Sequence, residues 1–185
     1  MKSTVSFFTI VLVVALFAAF TFAGYRTSGS LYSISMLEGL ETTLGFLKGL
    51  GPIALLFVIF INNSVKALLV ILLGVIPFVF PSIFVAMNGF ILGLVINMSV
   101  ASKGLGFTLI GLLPHGILEL AATLLAAALG IQMGLALIKS LRQQEGQLGL
   151  QYKGSLRIYF KLILPALFLA AVIETAVGIL LLPSL

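Results

Sequence analysis

Five stretches of this chain run for about twenty residues each with almost no charged side chain, and that constrains the fold more than any other feature. Thr4 to Gly24, at 21 residues, is long enough to cross a hydrocarbon core of about 30 Å. Pro52 to Ile76, Ser82 to Val100, Ile117 to Ile138 and Leu156 to Leu182 are comparable. A cleaved signal peptide is the rival reading of the first stretch, but its apolar run is longer than a usual signal core, and it is read as a helix. The expectation is an all-α polytopic membrane protein, one integral membrane domain over residues 1-185 with spans near 4-24, 52-76, 82-100, 117-138 and 156-182. Only 8% of residues are charged and 61% are hydrophobic, against about 25% charged in a soluble domain. Soluble enzymes, nucleic-acid-binding modules and disordered tails are thereby excluded. The absence of cysteine removes disulfides, thiolate nucleophiles and Cys-ligated metals.

The polar residues between the apolar runs set the topology. In 36-50, Leu37, Leu40, Leu44 and Leu47 recur at helical spacing opposite Glu38, Glu41 and Lys48, as in an amphipathic helix lying on the membrane surface. Pro77 and Pro81 bracket Phe78, Val79 and Phe80, which predicts a reversal using few residues. The run Leu105–Leu113 is nine residues long, too short to cross, and Pro114 and Gly116 follow it. It reads either as a re-entrant half-helix or as the start of one long bent helix from Phe107 to Ile138. Residues 139–154 read as a hydrophilic loop carrying Lys139, Arg142, Glu145 and Lys153, with Arg157 and Lys161 just beyond. Five of the ten positive side chains gather there, so this loop is expected in the cytoplasm, with the N-terminus inside and the C-terminus outside.

Ionisable and amide side chains inside the spans are few, and a charge at the bilayer centre costs on the order of 2.5–3.5 kcal/mol. Asn62, Asn63, Asn88, His115 and Glu119 form the candidate polar cluster. His115 and Glu119 stand four apart, one above the other on a helix. They could serve as a proton relay, a coordination pair or the lining of a permeation path. They could equally form a buried hydrogen bond that fixes helix register. Lys66 and Glu174 could form an ion pair, or Lys66 could snorkel to a membrane surface near Ser64. HExxH, GxSxG and paired aspartates are absent, and one His with one Glu falls short of the roughly three protein ligands of a catalytic zinc. No enzyme, metal or cofactor is expected. Gly89 and Gly93, and Gly130 and Gly134, are small-xxx-small pairs expected to serve packing within the subunit, with a homodimer as the alternative use.

Phe60-Ile61-Asn62-Asn63, then Asn88-Gly89 with Gly93, then Leu113-Pro114-His115-Gly116 with Glu119-Leu120 and the Ala/Gly-rich helix to Gly134 resemble the stage II sporulation protein M family over residues 36–182. The Leu-Pro-His-Gly-x-x-Glu-Leu element is the more specific part. The resemblance implies a polytopic protein of the cytoplasmic membrane. In endospore formers the namesake works with two cell-wall-degrading partners at the septal membrane during engulfment, while relatives also occur where no spores are made. It implies no catalytic residues. The expected role is a membrane scaffold or assembly protein with envelope partners. The alternative is a small-solute, ion or lipid transporter or channel lined by the polar cluster.

Overall fold

The computed structural model describes residues 5–30, 34–36, 38–39, 42, 45, 49–76, 78–142 and 147–181, and within those the side chains of all but 113–115, 147 and 179–181. Its helices are α1 (Phe7–Thr27), α2 (Pro52–Leu73), α3 (Val79–Leu141), α4 (Gln147–Ile158) and α5 (Leu164–Leu181), with a π-helical turn, Tyr159–Ile163, joining the last two. Among the described residues there is no strand. Five segments are long and apolar enough to cross a membrane: Phe7–Thr27, Pro52–Leu73, Val79–Leu112, Gly116–Leu141 and Leu148–Gly178. The chain is a multi-pass, all-α membrane protein. The interfacial helix expected over 36-50 falls largely outside the described residues, Leu37, Leu40, Glu41, Leu44, Leu47 and Lys48 among them.

α2 starts on Pro52, where a missing N–H does no harm. The reversal expected around Pro77 and Pro81 lies between Leu73 and Val79, and it places Phe78 at φ 65°.

α3 is a hairpin of two arms, 79–103 and 105–141, hinged at Gly104 with φ 83° and ψ 165°. Only glycine reaches that conformation without strain. Ser99 and Thr108 hydroxyl oxygens are 2.7 Å apart across the hinge, whereas nine residues of straight helix would separate them by about 13.5 Å.

Two expectations are refined. Residues 105–113 are not a re-entrant half-helix: the second arm is helical from the hinge through Pro114 to Leu141, so the long bent helix is the reading that holds. One proline removes a single N–H, and membrane helices continue past such a loss. The supposed loop 139–154 also shrinks, because α3 extends to Leu141 and α4 begins at Gln147. Ser155, Tyr159 and Ile163, at 0%, 4% and 0% exposure, give this polar segment a buried face that holds it in helical form. The π turn ends just before Pro165, which lacks the N–H an α-helical ladder would use there, and Leu164 N–H reaches back to the Tyr159 carbonyl.

The second arm is the central helix, with Ala126, Ala127, Ala128 and Leu129 all wholly buried. Its small side chains let the flanking helices approach. Gly130 lies against the Val70 carbonyl of α2 and against Pro81. α1 runs parallel to the first arm, with Phe17 and Thr21 against Gly89 and Gly93. A Cβ on Gly89 would come within 2.7 Å of the Phe17 carbonyl oxygen, and one on Gly93 would collide with the Thr21 carbonyl. Gly89, Gly93 and Gly130 therefore serve contacts within the subunit.

Candidate functional site

Between the arms of the α3 hairpin lies a groove of about 410 Å³. Asn88 from the first arm and Thr108 and Glu119 from the second are its polar members, set among Ile91, Leu92, Ile96 and Leu112. The Gly104 hinge creates it by turning residues 105–120 back alongside 88–103. Val95, Leu105, Leu109 and Ile117 line its rim and are exposed on the outside of the bundle. The groove thus opens sideways, where a membrane segment faces lipid.

Its polar groups differ in how they are held. Thr108 donates to the Gly104 carbonyl at 2.9 Å and meets Ser99, so it braces the hinge. Asn88 Nδ2 donates to the Phe84 carbonyl at 2.7 Å. That bond uses one of the amide's donors and fixes its rotamer, while its carbonyl oxygen accepts no hydrogen bond among the described residues. Glu119 is half-buried on the second arm, one helical turn after His115, whose side chain lies outside the described set.

The candidate cluster is therefore divided. Asn88 and Glu119 share the groove, whereas Asn62 and Asn63 sit on α2 and do not line it. Asn62 is exposed on the outer face and donates to Asn63 Oδ1 at 3.3 Å. Amides adjacent in sequence satisfy each other locally, and among the described residues neither is hydrogen-bonded to the hairpin.

Lys66 and Glu174 are not paired. α2 and α5 run antiparallel, with the Phe60 and Phe168 rings in edge contact at 5.3 Å between centroids. Lys66 and Glu174 each lie six residues beyond these rings, in opposite directions along the bundle. The axial gap is about 18 Å. Lys66 is exposed on the outer face and Glu174 half-buried.

The polar contacts that do link helices involve residues that no sequence pattern singled out. Tyr159 donates its phenol to the Ser64 carbonyl at 3.0 Å, fastening the π turn to α2. Gln132 donates to the Thr9 hydroxyl, fastening the second arm of α3 to α1. An isolated polar residue at the centre of an apolar run was the available signal, but sequence alone does not pair one such residue with another. Among the described residues no three His, Asp or Glu side chains are grouped to hold a metal ion.

Comparison with known proteins adds one finding. The family model described as Stage II sporulation protein M matches residues 5–178. Searches of curated proteins and of solved structures each found no match. With that match spanning nearly all five crossing segments, the chain belongs to the stage II sporulation protein M family.

Proposed function

We propose that the protein is a non-enzymatic membrane scaffold that engages envelope partners through the lateral groove of the α3 hairpin. The observation that carries this reading is the groove's shape and chemistry: apolar walls and rim, open toward lipid, with Asn88 and Glu119 within. A partner's transmembrane helix can lay an apolar face against Leu109 and Ile117. A polar side chain on it would find the Asn88 carbonyl, in a medium with no water to compete. The membrane is taken to be the cytoplasmic membrane, with the connection from α3 to α4 inside, because Lys139, Arg142, Lys153, Arg157 and Lys161 flank it.

The test is site-specific photo-crosslinking in cells from Leu109 and Ile117, with Val14 on α1 as a lipid-facing control. The outcome expected is a crosslink to a membrane-anchored cell-wall hydrolase from the groove positions only, weakened by Asn88→Leu. Equal crosslinking from all three positions would remove the groove from the account. The competing reading, movement of a solute, ion or lipid, rests on the same Asn88 and Glu119. It requires flux in reconstituted vesicles that Glu119→Gln abolishes. A scaffold gives no flux and keeps its partners in that variant.

A further inference from the structure

Away from the groove, α4 and the π turn carry three cations on one face. Lys153, Arg157 and Lys161 follow one another at intervals of four residues, opposite the buried Ser155, Tyr159 and Ile163. All three are exposed, and none makes an ion pair with a carboxylate among the described residues. In an α-helix, residues four apart drift forward round the axis, because a turn takes 3.6 residues. The π turn over Tyr159–Ile163 fits more residues into its turn, which reduces the drift and keeps Lys161 in line with Arg157. The result is a basic ridge along one face of a helix clamped in place by the bond from Tyr159 to Ser64.

The ridge is not a purely aqueous surface. Phe160 and Leu162 beside it are exposed at 58% and 57%, and such side chains are placed in an apolar medium. α5 follows directly, and its 18 residues rise about 27 Å, close to the full hydrocarbon thickness. Lys161 therefore stands at the edge of the apolar core, with Arg157 and Lys153 one and two turns farther out. Lys66 on α2 stands level with Arg157, lying two residues past Ser64 as Arg157 lies two before Tyr159 on antiparallel helices joined at that pair, and α2 continues past it as an apolar helix to Leu73. On α1 likewise, the exposed Phe7, Phe8, Val11 and Leu12 continue the apolar surface toward the same end of the bundle. Headgroups must consequently approach the basic ridge locally and not around the whole protein.

We propose that Lys153, Arg157 and Lys161 form a binding site for anionic phospholipid headgroups, drawn in along the outer face of α4. Phosphate oxygens satisfy the guanidinium and ammonium donors, while acyl chains cover Phe160 and Leu162. An acidic protein segment matches the charges, but offers nothing for the apolar side chains interleaved with them. The site is independent of the α3 groove.

The experiment uses the full-length protein in vesicles of phosphatidylcholine containing spin-labelled phosphatidylglycerol or spin-labelled phosphatidylcholine. The motionally restricted fraction of each label is measured. The wild type is expected to retain the anionic label at least about threefold over the zwitterionic one, and high salt should reduce that preference. The variant K153Q/R157Q/K161Q should lose it, while Lys103→Gln, an exposed cation at the Gly104 hinge, should keep it. Thermal unfolding in detergent establishes that both variants fold. Equal retention of the two labels by the wild type, or an unchanged preference in the triple variant, overturns the proposal. Loss of protein partners by the triple variant with its lipid preference intact overturns it equally, and makes the ridge a protein-docking surface.

Discussion

The side-chain amide of Gln132 donates to the hydroxyl of Thr9, a bond across 123 residues of sequence that ties α1 to the central arm of α3. Both residues sit in otherwise apolar surroundings, Thr9 at 3% exposure. Interhelical hydrogen bonds in a membrane contribute about 0.6 kcal/mol on average and up to about 1.7. Thr9→Val and Gln132→Leu should each destabilise the protein, and the double variant should be less affected than the sum. A coupling in that range, read from unfolding in mixed micelles, is the expected result. Strict additivity would mean the bond contributes nothing.

The glycines of the α3 first arm make a sharper prediction. A Cβ at Gly93 has nowhere to go, because the Thr21 carbonyl is backbone and cannot turn aside. Gly93→Ala should push α1 away and cost about 2 kcal/mol or more, as overpacking does. At Gly116, on the second arm, no atom of the described residues lies within 4 Å of an added Cβ, and alanine there should gain about 0.5–1 kcal/mol from its better helix propensity. Thermal denaturation of the two single variants in one detergent should therefore move in opposite directions.

These contacts show what was legible in the sequence and what was not. The spans were legible because the bilayer imposes a length and a polarity that a run such as Thr4 to Gly24 meets by itself. That the chain reverses shortly before Pro81 was legible because proline acts locally, though the turn ends at Val79 and Pro81 already lies in the first turn of α3. Continuity through Pro114 was not decided, since it depends on whether the surroundings accommodate one lost N–H. α4 was hidden because Ser155, Tyr159 and Ile163 look polar or unremarkable until α2 and α3 supply the surface that buries them. The polar cluster was half legible. Spacing identified Asn88 and Glu119 as intramembrane polar residues, but their shared groove depends on the Gly104 hinge. Asn62 and Asn63 look equivalent in sequence and differ only in which way α2 faces.

Tyr159 and Ser64 separate a hydrogen bond from the side chain beside it. The bond runs from the Tyr159 phenol to the Ser64 backbone carbonyl, so the serine hydroxyl is not used. That hydroxyl is buried without a hydrogen-bond partner among the described residues. Tyr159→Phe should cost about 0.5–1.5 kcal/mol, the usual net value of such a bond. Ser64→Ala should be neutral or stabilising, because it removes a buried, unsatisfied polar group. Equilibrium unfolding of the two variants tests this directly. A large loss for Ser64→Ala would mean that the hydroxyl has an acceptor the present contacts do not include.

The absence of cysteine makes the topology directly testable, since every introduced thiol is then unique. Ser102 is exposed beside the Gly104 hinge, and Leu141, at 76% exposure, ends the arm that leads away from it. About 36 residues of the second arm would rise some 54 Å if fully helical, more than a bilayer core, so the two positions must emerge on opposite sides. With the connection from α3 to α4 in the cytoplasm, Ser102→Cys should react with a membrane-impermeant maleimide in intact cells. Leu141→Cys should react only after permeabilisation. The reverse pattern would place the N-terminus outside and overturn the orientation drawn from the positive residues. Labelling of both thiols in intact cells would mean that the second arm does not cross, and the lateral groove would then face water instead of lipid.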